Sequence, residues 1–441
     1  MSIQNLKKFE PLRFFSLTPP RKKCLLYFLC ERWYNSGEVF AKGAARVLHY
    51  LSSLLDRSYW WQEFKSFFRR GDLVLLALCL MLSAFGILFQ YSVNSYRSAG
   101  PMRYVIIQTG ATVLGVLVYA AVSAIDLEFL SEHRAMLTVF SVGMLLLLVP
   151  FGVDYSSGNT SWIELPLLPF AIQPAEVIKI SYILVTASVM NSHQNRISSI
   201  PSVLHVAAHL VLLVGLNLLL SRDWGVSLIF VFIFLVMTFT GGVRLIWFAV
   251  GAGATVLGFP LLWSRLGTRQ QNRILVLFDE SIDPQGLNER YQLNHALKSL
   301  TGGGLTGQGL FNGNRTQVGA LPSQHTDFVF SAIGEELGYV GCALVALMLL
   351  LIVARVVWVG VHSKDYMRRL VCFGSAAALA FQVLVNIGMN IGLVPIIGLT
   401  LPLVSYGGSS VVSIYAMLGL VSGVHARPAP RTHERYIQPP R

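Results

Sequence analysis

The chain has 441 residues, of which 54% are apolar and 13% charged, with a formal net charge of +12. A soluble chain carries about 25% charged residues, so most of this one faces lipid or other apolar helices. The surplus of Lys and Arg lies at the two ends and in short loops, a distribution that argues against a nucleic-acid partner. Residues 1–71 hold 13 Lys/Arg against 5 Asp/Glu, with no short apolar core near Met1, and do not read as a cleavable signal. The stretches "CLLYFLCERWY" and "YWWQEFKSFFRR" suit either a helix lying on an anionic membrane surface or a disordered extension.

A membrane span needs roughly 20 apolar residues. Ten segments qualify, near 73–94, 103–125, 135–153, 174–191, 201–220, 224–240, 243–263, 327–357, 369–394 and 397–424. The sixth and seventh are parted only by "GGVR", which predicts a tight helical hairpin. The fold expected is an all-α polytopic membrane protein of about ten transmembrane helices, with a large loop, 264–326, between the seventh and eighth. Lys and Arg in short loops fall on the side of the basic ends, so both termini read as cytoplasmic and the long loop as extracytoplasmic. The five cysteines show no paired spacing and read as small buried hydrophobes.

Ionisable side chains inside a membrane cost several kcal/mol each and mark candidate sites. Glu176 and Lys179 stand three apart, just after Pro174, and share one helix face. They form either an ion pair steadying the helix start or the wall of a polar pocket. Arg222 and Asp223, in "SRDWGVS", read as a helix cap and interfacial pair. In the long loop, Arg265, Arg269 and Arg273 recur every four residues, which predicts one basic face on a helix leaving the membrane. Next comes the acidic turn "DESIDPQG", with Asp279, Glu280 and Asp283. The run "TGGGLTGQG" lacks the Gly-Lys-Ser/Thr ending of a nucleotide loop and reads as a flexible hinge. In "PSQHTDFVFSAIGEELG", Thr326 or Asp327 is expected to cap a helix, with Glu335 and Glu336 two to three turns inside it.

These residues carry a resemblance. The chain resembles the SEDS family (shape, elongation, division and sporulation), from about residue 72 to 424. The carrying motifs are "QPAEVIK" (173–179), "DPQG" (283–286), "GGGLTGQG" (302–309), "HTDFVFSAIGEELG" (325–338), "NIGMNIGLVP" (386–395) and "LPLVSYGGSS" (401–410). It departs at Ala175, where serine is usual, and at "LNERYQ". Residues 1–71 and the basic tail 425–441 are left out of the likeness. The resemblance implies a multi-pass protein of the bacterial cytoplasmic membrane that polymerises lipid II, the undecaprenyl-pyrophosphate disaccharide-pentapeptide, in elongation or division. It also implies a class B penicillin-binding protein as partner.

By the same resemblance Asp283 is the essential acid and general base, and Glu176 and Lys179 line the central cavity. His325, Asp327 and Glu335 belong to its far wall, while Ser405 and Ser409 offer hydroxyls near the outer face. Positive charge for the departing pyrophosphate would come from Lys179, Arg265, Arg269 and Arg273, with or without a divalent cation such as Mg²⁺ or Mn²⁺; no dedicated metal cluster is spelled out. Two rivals stay open: a transporter that flips lipid II, and a non-catalytic scaffold for a transpeptidase. The external acid-bearing loop disfavours the first, since transporter sites lie at midplane. The second leaves the buried acids unexplained.

Overall fold

The computed structural model describes residues 71–97, 100–154, 160–164, 170–287 and 289–427, with backbone alone for Leu262, Arg269, Glu280 and Glu289. The expectations for the basic extension, and for all but the first residues of the tail, lie outside the described residues. Each of the ten apolar segments carries a helix. These are α1 (Leu73–Val93), α2 (Met102–Ala124), α3 (Arg134–Leu146), α4 (Pro174–Ser192), α5 (Ile200–Leu220), α6 (Trp224–Thr240), α7 (Leu245–Arg265), α8 (Val329–His362), α9 (Tyr366–Asn390) and α10 (Gly408–Ala426). Among the described residues the only strands are Gly152–Val153 and Trp162–Ile163, one short antiparallel pair between α3 and α4.

Among the described residues seven helices are long and apolar enough to cross a membrane, with α3 counted through to Phe151, and α6 and α7 contain shorter apolar stretches. α4 is long enough yet carries Glu176 and Lys179, and almost all its residues are buried. An interior helix needs no lipid-facing stripe, so it can hold polar groups. α10 is likewise buried along nearly its whole length. It meets α2 at small residues: a Cβ on Gly419 would lie 2.7 Å from the Tyr119 carbonyl, and one on Gly423 2.8 Å from that of Ser123. This four-residue spacing of glycines lets two membrane helices touch through their backbones. At the far end of α1, Asp72 caps the Leu75 amide at 3.0 Å and pairs with Arg355 of α8 at 2.9 Å.

Four expectations are corrected. The last span does not begin near 397: residues 391–407 run as turns and coil, and α10 starts at Gly408, because Pro395, Gly398, Pro402 and Gly407 interrupt an apolar but non-helical stretch. α6 and α7 do not form a tight hairpin. Phe239 meets Phe248 near the turn, with centroids 6.1 Å apart, but no described residue of α7 is buried and Gly251, Gly253 and Gly258 have open space around them. The arginines do not share one helix: α7 ends at Arg265, Leu266 is extended, and a separate helix runs Thr268–Leu275. Finally, α8 is capped at Phe328 without a side-chain bond, so neither Thr326 nor Asp327 caps it.

Candidate functional site at four helix N-termini

Backbone alternation brings the starts of α4, α6, α8 and α10 to one end of the bundle, and hydrogen bonds tie them together. The Gln173 amide, before α4, reaches Ser409 Oγ of α10 at 3.4 Å. Gln173 Nε2 donates to Asp223 Oδ2, before α6, at 3.2 Å. Ser405 Oγ, before α10, donates to the Thr326 carbonyl, before α8, at 2.5 Å. Helix N-termini carry positive partial charge and unpaired amides, so four together favour an anion.

Charged side chains gather at the same end. Lys179 Nζ donates to Glu176 Oε2 at 2.9 Å, and both side chains are at most 4% exposed. Asp223 caps α6 through the Val226 amide at 3.1 Å. Burial pushes its carboxyl above the usual range, the Val226 amide and Ser161 hydroxyl oppose the shift, and nearby Glu176 adds to it. Asp327 is pushed up to about 6, chiefly by desolvation and further by Asp223, while Thr326 and Arg273 pull it down. Glu176, Lys179, Asp223, Arg273 and Asp327 thus form one electrostatic cluster. Sequence reading missed Asp223 and Gln173 as members, because a cap explained the aspartate and nothing local marked the glutamine.

Asp283 is 3% exposed. Its Oδ2 accepts from the Arg290 amide at 3.1 Å and its Oδ1 from the Leu287 amide at 3.3 Å. Gly286, with φ +62°, closes the turn between them; this left-handed conformation favours glycine. The acid is therefore fixed against the start of the loop helix Glu289–Gly302.

Glu335 and Glu336 have partners of their own. Glu335 accepts from the Arg315 amide at 2.6 Å and from Thr316 Oγ1 at 2.8 Å. Glu336 accepts from Ser92 Oγ at 2.7 and 2.8 Å, Gln317 Nε2 at 2.7 Å and the Phe311 amide at 3.2 Å. Both carboxylates clamp residues 311–317, next to the glycine-rich loop. That loop is no flexible hinge, because the Gln308 and Gly309 amides donate to the Glu335 and Glu336 carbonyls at 2.9 Å. Gly338, at φ +69° inside α8, admits it: a Cβ there would meet the Leu305 carbonyl at 2.3 Å. Ser405, besides reaching Thr326, accepts the Leu401 amide at 2.8 Å. His325 lies among the rings of Tyr104 and Tyr406. Arg265 is exposed, and Arg269 is described by its backbone alone. Among the described residues no three acid, His or Cys groups converge as a metal site requires.

A bundle of apolar helices enclosing an ionic cluster at one end defines an integral membrane protein with a buried polar site. The chain belongs to the family described as "Cell cycle protein" (FtsW, RodA and SpoVE), which matches residues 72–429. It is 30% identical over 359 residues to peptidoglycan glycosyltransferase MrdB of Escherichia coli K12, covering 80% of this chain and 93% of that one. It is 31% identical over 361 residues to the probable peptidoglycan glycosyltransferase FtsW of Trichlorobacter lovleyi, covering 80% and 93%. Among solved structures, a chain of a peptidoglycan synthase complex that coordinates polymerisation and crosslinking aligns with a TM-score of 0.68 at 30% identity, over 80% of this chain and 97% of that one. The rod shape determining protein RodA of Thermus thermophilus aligns with a TM-score of 0.61 at 27% identity, over 82% and 98%.

Proposed function

We propose that this peptidoglycan glycosyltransferase polymerises lipid II at the cluster where α4, α6, α8 and α10 begin. The observation that carries the reading is that convergence: four helix N-termini, with Lys179 and Arg273 among three carboxylates, meet at one end of an apolar bundle, and amide ends beside cations are groups that hold a pyrophosphate. Asp283 takes the proton from the acceptor 4-hydroxyl as that oxygen bonds to the donor anomeric carbon. The bond from that carbon to phosphate breaks, and undecaprenyl pyrophosphate leaves with the electron pair. A well-placed base is worth roughly 10²–10⁴-fold. Pyrophosphate is a good leaving group, so positive charge matters more than a protonating acid.

The ionic groups favour an enzyme over a transporter. Glu176 and Lys179 lie in the first turns of α4, and Asp223 and Asp327 precede their helices, whereas transporter sites lie at midplane. Residues 264–326 face the extracytoplasmic side, both termini face the cytoplasm, and the working partner is a class B penicillin-binding protein. Purified protein with lipid II, with and without that transpeptidase, is expected to yield glycan polymer, and Asp283→Asn to yield none. Polymer from well-folded Asp283→Asn would sink the assignment. Orientation is read by an impermeant thiol reagent on intact, wall-permeable cells in a cysteine-free background. Gln285→Cys should label and Thr432→Cys should not; labelling of both only after lysis would place the loop inside.

A further inference from the structure

Beside the ionic cluster stands a second group of side chains that the proposed chemistry does not use. Tyr104, in the first turn of α2, His325, before α8, and Tyr406, before α10, form a triangle of rings. Their centroids are 5.6 Å apart for Tyr104–His325, 5.0 Å for Tyr104–Tyr406 and 5.9 Å for His325–Tyr406. The Arg97 guanidinium lies 5.0 Å from the centroid of Tyr104. All four residues are partly exposed, so this is not a closed core packing.

Two polar atoms of the group, Arg97 Nε and His325 Nδ1, are shielded from solvent and meet no hydrogen-bond partner among the described residues. Buried polar groups in folded proteins are rarely left without one. Burial, with Arg97 alongside, lowers the His325 ring to about 4, so it is neutral at physiological pH. The backbone beneath is fixed: the Tyr406 amide donates to the His325 carbonyl at 2.8 Å, and Gln108 Nε2 donates to the Ser405 carbonyl at 3.1 Å. Partly exposed rings on a rigid frame, with two unpartnered nitrogens behind them and a guanidinium beside Tyr104, suit a sugar. A sugar ring offers an apolar face and, at its rim, hydroxyl and acetamido groups.

We propose that Arg97, Tyr104, His325 and Tyr406 form a saccharide platform that holds the glycan strand next to the reaction site. The inference rests on the polymerase reading, and gives it the second sugar-binding place that a chain-extending enzyme needs. In sequence His325 stands two residues from Asp327 and Tyr406 three from Ser409, so the platform adjoins the cluster.

The test uses the full chain in detergent with soluble chitin hexamer, an oligomer of N-acetylated sugar, as probe. Tyr104→Ala with Tyr406→Ala should weaken hexamer binding roughly three- to tenfold, the change that loss of an aromatic contact makes in a dissociation constant. Tyr104→Phe with Tyr406→Phe keeps the faces and should retain most of it. Arg97→Gln, which leaves the rings in place, should weaken binding as well. With lipid II and the partner, the alanine pair should shorten glycan strands by a larger factor than it slows the initial rate. Equal affinity in parent and alanine pair, or displacement of the hexamer by inorganic pyrophosphate, would overturn the platform. So would equal losses in the alanine pair and the phenylalanine pair. A parent that binds hexamer yet makes no polymer overturns the polymerase reading and leaves the platform standing. A parent that makes polymer and binds no hexamer does the reverse.

Discussion

Two sets of acids sit within the same bundle and are treated differently. Glu335 and Glu336 are fully buried, and each carboxylate receives backbone and side-chain donors from the loop it holds. Glu176, Asp223 and Asp327 instead face a lysine, an arginine and one another. Glu335 and Glu336, each holding a backbone and a side-chain donor of one loop together, cannot change partners without releasing that loop. A carboxylate that faces a side-chain cation and another acid can accept a new ligand by shifting a rotamer or a proton. The first arrangement builds a wall and the second keeps a site ready.

The largest expected effect breaks the wall. Glu336→Ala strands the Ser92, Gln317 and Phe311 donors, each at about 1–3 kcal/mol, so little monodisperse protein should survive fluorescence-detected size exclusion. A normal yield would show that the loop needs no clamp. Next is the ion pair: Lys179→Ala leaves Glu176 buried alone, which costs about 3–5 kcal/mol and should lower the melting temperature. Glu176→Gln with Lys179→Met should recover stability but not polymerisation. Recovery of both would make the pair a structural prop like Glu336.

Asp327 gives a smaller effect of opposite sign. Its carboxyl is raised above the ordinary value, so the folded state holds a proton that the unfolded chain has released. Its ionisation therefore removes stability as pH rises from about 4 to 6, and the loss is complete above 6. Asp327→Asn should then be more stable than the parent at pH 7.5, by on the order of 2 kcal/mol once partial exposure is allowed for, with the advantage gone near pH 4. Polymerisation that depends on ionised Asp327 should fall in the parent below about pH 6. A variant less stable at pH 7.5 would move Asp327 to the wall set. Asp223→Asn should change stability the least, by under about 1 kcal/mol in either direction, because asparagine caps a helix as well as aspartate does; thermal unfolding reads it.

Much of this was legible. Apolar runs of membrane length announced α1 to α10, since a backbone in lipid must satisfy its own hydrogen bonds. The Glu176–Lys179 pair followed from helical spacing alone. The start of α10 was not legible, because "PIIGLTLPLVSYGG" is as apolar as a helix and is buried as coil. The clamp was hidden for another reason: the partners of Glu335 are an amide and a hydroxyl 20 and 19 residues upstream, and backbone amides have no sequence signature. Asp223 announced its cap, whereas Gln173, 50 residues earlier, is brought to it only by the packing of α4 beside α6. The isolation of α7 had no signal either, as its composition matches that of helices inside the bundle.

The central claim is the proposal that Asp283 serves as the base while Glu336 holds structure. Lipid II polymerised per folded molecule, compared between Asp283→Asn and Glu336→Gln, tests it directly. Asp283→Asn should stay folded and lose at least about a hundredfold in rate, the low end of what a general base supplies. Glu336→Gln should lower the folded yield, yet each folded molecule should polymerise at close to the parental rate. Parental activity in Asp283→Asn, or a fully folded but inactive Glu336→Gln, would contradict the account.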